Sequence, residues 1–173
     1  RREAVSIDVY VNVNSPPTGA AAMPPPTAAP DFEPRTRASF ARQAAMATLG
    51  ITLERVAPGE VELALAHRAE LTQQHGFLHA GVVSTALDSA CGYAAFTLMP
   101  AEAAVLTVEF KVNLLAPARG PVLRVLGQVV KAGRTISVVD ARAWQRAPGS
   151  AEDQLVATMT ATVMTVLGRG IAG

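Results

Sequence analysis

Only one of the 173 residues is cysteine, Cys91. That excludes an intrachain disulfide and a multi-cysteine zinc site. A lone thiol fits a reducing compartment, so a cytoplasmic location is the expectation. Charge is also scarce. Charged residues make up 17% of the chain, and 15 basic against 14 acidic side chains leave a net charge of +1. Without a basic run, neither nucleic acid nor an anionic membrane surface is an expected partner. A long, charge-free apolar run is missing too. The most apolar window, Ala80 to Met99, carries Asp88 in its middle. A carboxylate at mid-bilayer costs about 2.5–3.5 kcal/mol, so the window reads as a buried helix and not a membrane span. Arg1-Arg2 is followed by Asp8, Asn12 and Asn14. These interrupt the continuous apolar core that a signal peptide needs. What the chain does have is 50% hydrophobic residues, enough for the core of one domain of ordinary size.

Proline is abundant but unevenly placed. Residues 1–34 hold Pro16, Pro17, Pro24, Pro25, Pro26, Pro30 and Pro34. Proline fixes φ and removes a donor, so residues 1–34 read as a mobile tail, with Ala4–Val13 a strand-like run inside it. A short helix is predicted from Thr36, stopped by Gly50. Two alternating runs, Ile51–Ala57 and Glu60–Ala66, flank the turn signal Pro58-Gly59 and predict a hairpin. Residues 67–78 read as a loop. Ala80–Leu98 is the one long helix, ended by Pro100. Period-2 runs follow at 104–115, 122–131, 135–145 and 155–167. In the first of them Leu106, Val108, Phe110, Val112 and Leu114 are assigned to one face, and Thr107 to the other. The expected architecture is α+β: a meander and a hairpin forming a curved antiparallel sheet of about six strands, wrapped around one helix. The outer face of that sheet would need cover, which implies a homodimer or homotetramer. The domain is expected over residues 35–168, with a short tail at 169–173.

Asp88 is the first candidate for chemistry. Steps of three and four residues from it meet Gly81, Ser84, Thr85, Cys91, Gly92 and Ala95, all small. The opposite stripe carries Val83, Leu87, Ala90 and Ala94. A carboxylate in such a helix must be paired, hydrogen-bonded or neutral, and small neighbours leave room for a ligand. The alternative is a structural Asp held by Ser84 or a neighbouring backbone group. His75 and His79 are four apart, but Gly76 between them argues against the helix that a metal pair needs, and no third ligand is evident; no metal is expected. A Cys91–His nucleophilic pair is a further reading, weighed against a buried, inert thiol. In a third reading His79-Ala80-Gly81 starts the long helix. Its unpaired N–H groups and positive dipole end suit a carbonyl or oxyanion. Nine helical residues span about 13 Å. The helix start and Asp88 can therefore act on one bond only from different subunits.

The stretch HGFLHAGVVSTALDSACGYAA, His75–Ala95, resembles the hotdog-fold acyl-CoA thioesterases of the PaaI-like, phenylacetate-pathway branch. Leu114-Leu115-Ala116-Pro117-Ala118 and Lys131-Ala132-Gly133-Arg134-Thr135 are similar to later segments of the same family. The resemblance implies Asp88 as general base or nucleophile, with the backbone N–H groups near Ala80 and Gly81 polarising the thioester carbonyl. It implies that His79 positions that segment, that Gln73 orients water or substrate, and that Thr107 supports the water next to the carboxylate of its own subunit. Lys131, Gly133 and Arg134 would lie near coenzyme A. Gln73 replaces the usual Asn, and Ala80 the first Gly of the usual pair. The expected activity is hydrolysis of acyl-CoA without a cofactor, at sites between subunits of a homo-oligomer. The rivals are a non-catalytic acyl-CoA-binding module and an enoyl-thioester hydratase. Phe77, Tyr93, Phe96 and Met99 are read either as an apolar pocket or as plain core.

Overall fold

The computed structural model describes residues 28–146 and 149–171. The expected tail, including Ala4–Val13, lies outside them except for residues 28–34, and so does Ala147-Pro148. The N-terminal helix starts earlier than predicted and is broken in two: α1 (Phe32–Ala41) and α2 (Ala44–Leu49). Pro34 sits in the first turn of α1, where the missing N–H would have no intrahelical acceptor anyway. Gly50 ends α2 in the left-handed conformation, at φ 71°, which glycine adopts without strain.

The hairpin is β1 (Ile51–Ala57) and β2 (Glu60–Ala66), and it is followed by a 3₁₀ turn at Ala69–Leu71. The long helix is α3 (Ala80–Phe96). The remaining strands are β3 (Ala104–Leu114), β4 (Val122–Lys131), β5 (Ile136–Arg146) and β6 (Asp153–Val166). All six strands form one antiparallel sheet in the order β1-β2-β4-β5-β6-β3. This corrects the expected four-stranded meander. Only β4-β5-β6 meander; β3 crosses to the far edge and pairs with β6. Period-2 patterning gives a strand its faces but not its neighbours.

The sheet wraps α3, which is buried along nearly its whole length from Val83 to Phe96. Val61, Leu63, Leu65, Leu123, Val139 and Val163 close on Leu87 and Phe96. Each such side chain contributes about 1.5–3 kcal/mol by leaving water. Gly127 allows the close seating of helix on sheet, because a Cβ there would stand 2.4 Å from the Ala90 carbonyl oxygen. The Arg35 guanidinium lies over the Phe96 ring and donates to the carbonyls of Phe96 and Met99. It thus caps the C-terminal end of α3 from α1.

The outer face of the sheet is mostly polar. Arg55 pairs with Glu60 and Glu62, and Asp153 with Arg124 and Arg146. The exposed apolar side chains concentrate instead on edge strand β3, where Leu106, Val108, Phe110 and Leu114 are 47%, 57%, 46% and 53% exposed. They do not share one face as predicted. Thr107 pairs with Val163 and Glu109 with Thr162, so Val108 is an extra residue in a β-bulge. The bulge inverts the alternation. Before it, Thr107 points inward beside buried Val163; after it, Phe110, Val112 and Leu114 point inward beside Ala161, Met159 and Ala157. Leu106 is left on the outer face. No helix among the described residues is long and apolar enough to cross a membrane.

Candidate active site

The start of α3 is built by the segment before it. Thr72 and Leu78 form an isolated antiparallel bridge. Between them the Gln73 N–H donates to the Phe77 carbonyl (2.9 Å), and the Gly76 N–H to the Gln73 carbonyl (3.0 Å). Gly76 takes φ 80°, which closes this turn. The His67 ring Nε2 lies 3.0 Å from the Gly76 carbonyl oxygen, and the Leu78 N–H donates to the Ala118 carbonyl at 2.8 Å. The expected loop is therefore a pinned platform.

His79 is the N-cap of α3. Its Nδ1 accepts the Gly81 N–H at 2.9 Å, which requires an unprotonated Nδ1. The His79 carbonyl accepts from Val82 and Val83. The two backbone donors suggested by the sequence are thus unequal. The Gly81 N–H is occupied by His79, whereas the Ala80 N–H has no hydrogen-bond partner among the described residues. It is the donor left facing out at the positive end of the helix dipole.

Beside it opens a cleft of about 360 Å³, lined by Gln73, Phe77, Ala80, Leu114, Pro117 and Val156, among others. Gln73 and Ala80 therefore border the same cleft. The Gln73 side-chain oxygen accepts the His75 N–H, which leaves its amide NH₂ free for another partner. At the rim the Arg119 guanidinium lies 4.8 Å from the Phe77 ring centroid. Arg119 was not legible as a site residue, because a single Arg after a strand carries no motif. Of the four apolar residues with two readings, Phe77 lines the cleft, while Tyr93, Phe96 and Met99 are buried core.

Asp88 lies on the side of α3 that faces away from β4 and is half-buried. Its Oδ1 accepts from the Thr107 hydroxyl at 2.7 Å; its other oxygen has no hydrogen-bond partner among the described residues. Ser84 does not hold it, since the Ser84 hydroxyl donates to the Ala80 carbonyl at 2.8 Å. The Asp88–Thr107 contact depends on the bulge in β3, which turns Thr107 inward ahead of Phe110. Cys91 is fully buried, and burial first, then the charges of Asp88 and Asp140, push its thiol pKa up. A thiolate nucleophile is thereby disfavoured.

Lys131, Gly133 and Arg134 are exposed at the β4–β5 turn. That turn lies with the β1–β2 turn, since the Val129 N–H donates to the Gly59 carbonyl at 2.8 Å, and Gly59 abuts Leu98 beyond the C-terminal end of α3. Within one chain it is therefore at the opposite end of the helix from Ala80. Gly133 is sterically required, because a Cβ there would meet the Ile136 carbonyl oxygen at 2.1 Å. Among the described residues no group of three His, Cys, Asp or Glu is placed to hold a metal ion.

A curved six-stranded antiparallel sheet around one central helix, with a polar site on that helix, defines an α+β protein of the hotdog fold. Comparison with known proteins narrows this further. The model of the Thioesterase superfamily matches residues 75–152. The crystal structure of a thioesterase family protein from Silicibacter pomeroyi is 56% identical, has a TM-score of 0.77, and is matched over 79% of this chain and 99% of that one. The E. coli PaaI protein from the phenylacetic acid degradation operon, at 18% identity, has a TM-score of 0.70 over 79% of this chain and 94% of its own, a likeness of fold alone. "Putative esterase SSO1253" of Saccharolobus solfataricus is 35% identical over 96 residues, which are 56% of this chain and 63% of that protein. The chain thus spans just under two thirds of such curated relatives. It belongs to the thioesterase superfamily.

Proposed function

We propose that this protein hydrolyses acyl-CoA thioesters to the free acid and CoA, and that each active site is shared between two subunits. The observation that carries the reading is the Asp88 carboxylate. It stands on an otherwise apolar central helix, is steadied through one oxygen by Thr107 at 2.7 Å, and keeps the other oxygen available. A structural Asp in such a helix would use both. The Ala80 N–H supplies the complementary donor, about 12 Å away along the same helix, and the Gln73 amide, in the segment before the helix, lines the same cleft as Ala80.

A second copy closes that gap. A long edge strand with exposed apolar side chains is a template for pairing, and β3 is such a strand. Antiparallel pairing of β3 with the partner's β3 about a two-fold axis sets the two central helices antiparallel. It brings one Asp88 towards the partner's Ala80. In the reaction, Asp88 takes a proton from water as the water oxygen bonds to the thioester carbon. The carbonyl oxygen becomes an oxyanion held by the partner's Ala80 N–H. The C–S bond then breaks, and the CoA thiolate leaves and takes up a proton. The variant in which Asp88 itself attacks, forming an acyl anhydride that water then cleaves, uses the same groups. Gln73 orients the water or the thioester, and His79 fixes the backbone at the helix start. Lys131 and Arg134, with Gly133 shaping their turn, offer charge to the CoA phosphates. A cytoplasmic setting supplies the substrate.

The test is thiol release from a panel of acyl-CoA esters, by wild type and by Asp88→Asn. A general base is worth about 10²–10⁴ in rate, and a loss of that size is expected in a variant that remains folded and oligomeric. Binding of acyl-CoA without turnover by wild type would instead make the protein a binding module. Loss of the enoyl absorbance from crotonyl-CoA without thiol release would make it a hydratase.

A further inference from the structure

We infer that Gly92 sets the depth of the acyl subsite, and so the range of acyl groups accepted; this rests on the thioesterase reading above. Four of the described glycines are buried: Gly59, Gly92, Gly120 and Gly127. A Cβ on Gly59 would stand 3.4 Å from Leu98 Cδ1, on Gly120 2.6 Å from the Arg146 carbonyl oxygen, and on Gly127 2.4 Å from the Ala90 carbonyl oxygen. A Cβ on Gly92 would meet no atom within 4 Å beyond its chain neighbours and the backbone of its own helix. Close packing accounts for Gly120 and Gly127, and a left-handed backbone at φ 74° for Gly59; neither accounts for Gly92. Glycine also weakens a helix interior relative to alanine, so the space beside Gly92 is kept open against local propensity.

That space adjoins the reactive carboxylate. Gly92 follows Asp88 by one turn on the same side of α3, and exposure falls along that side. Gly81 is exposed, Ser84, Thr85 and Asp88 are half-buried, and Gly92 is buried. One turn further, Ala95 and Phe96 are 2% and 0% exposed. The Ser84 and Thr85 hydroxyls donate to the Ala80 and Gly81 carbonyls, both at 2.8 Å, so their donors are turned back on the helix. A partner helix seated on the exposed side would lie over Gly81, Ser84 and Thr85, not at a position already enclosed by its own chain. A ligand arm that passes Asp88 towards Gly92 runs inward, into apolar surroundings that close at Phe96. The nucleotide of CoA is large and anionic and stays in solvent, so the inward arm is the acyl group. One turn of helix is about 5.4 Å, the length of a short alkyl run or an aromatic ring. The acyl groups favoured are thus short alkyl chains of about hexanoyl length or aryl-acetyl groups rather than acetyl.

The experiment compares wild type, Gly92→Ala and Gly92→Leu on acetyl-, butyryl-, hexanoyl- and phenylacetyl-CoA, with thermal unfolding in parallel. Gly92→Ala is expected to unfold at or above the wild-type temperature. In Gly92→Leu, kcat/KM for hexanoyl- and phenylacetyl-CoA relative to butyryl-CoA is expected to fall about tenfold or more, with a smaller shift in the same direction for Gly92→Ala. If Gly92→Leu does not fold, the shift in Gly92→Ala decides. An unchanged ratio in the folded variants, or an equal loss on all four substrates, overturns the inference while the thioesterase reading stands. Wild type inactive on every ester overturns that reading, and this inference with it.

Discussion

Replacing Ala80 with proline isolates a single hydrogen-bond donor. Ala80 is the first residue of α3, and its N–H has no partner among the described residues. Proline is favoured at that helix position, because the missing N–H is unsatisfied there in any case. The residue before a proline is restricted to extended conformations, and His79 already has φ −61° and ψ 138°. Ala80→Pro therefore removes the proposed oxyanion donor and disturbs the helix little; stability is expected within about 1 kcal/mol of wild type. If that N–H holds the developing charge, kcat should fall about 10²–10³-fold, or roughly 2.7–4 kcal/mol. Ala80→Val is the control for bulk, since it crowds the same spot and keeps the donor. Its kcat should stay well above that of Ala80→Pro. The assay is steady-state thiol release on the best acyl-CoA, with thermal unfolding of each variant. A folded Ala80→Pro protein with wild-type kcat would refute the reasoning.

Other expectations follow from burial and the edge strand. Cys91→Ala should keep its activity, and the native thiol should resist alkylation at neutral pH, because burial and nearby Asp88 and Asp140 raise its pKa; loss of turnover would return the cysteine to the mechanism. Gly127→Ala would force a methyl group against the Ala90 carbonyl. It should lower stability by about 1–3 kcal/mol, seen as a reduced Tm. Val108→Lys places a charge on the exposed edge of β3 and should shift the protein towards monomer in sedimentation. Activity should fall in step with the dimer fraction. A fully active monomer would contradict the shared site.

Much of this architecture is legible in the residue order. The strands at 51–57, 60–66 and 122–131 and the start of the long helix at Ala80 follow from alternation, turn residues and the helical period. The place of β3 does not, because nothing in a strand's own alternation names its neighbour. Nor does the bulge at Val108, where no glycine marks the irregularity. That one residue decides the site, since without it Thr107 and Phe110 could not both face inward. At the helix start, the spacing indicates a donor pair but not the division of labour. The His79 ring takes one N–H, a fact of side-chain geometry. Asp88 was legible as a carboxylate out of place in an apolar helix. The platform at 72–78 and the Phe77–Arg119 contact arise from long-range pairing to the segment around Ala118, which local patterning does not encode.

Subunit complementation reaches the shared site most directly. Asp88→Asn and Ala80→Pro, each inactive, are mixed under conditions that exchange subunits. If every site takes its carboxylate from one chain and its backbone donor from the other, each mixed dimer regains one intact site of its two. Random exchange of equal amounts then restores about a quarter of wild-type activity. No recovery after exchange, with mixed dimers verified by mass, would mean that both groups serve the same chain's site or different sites, and the account would be wrong.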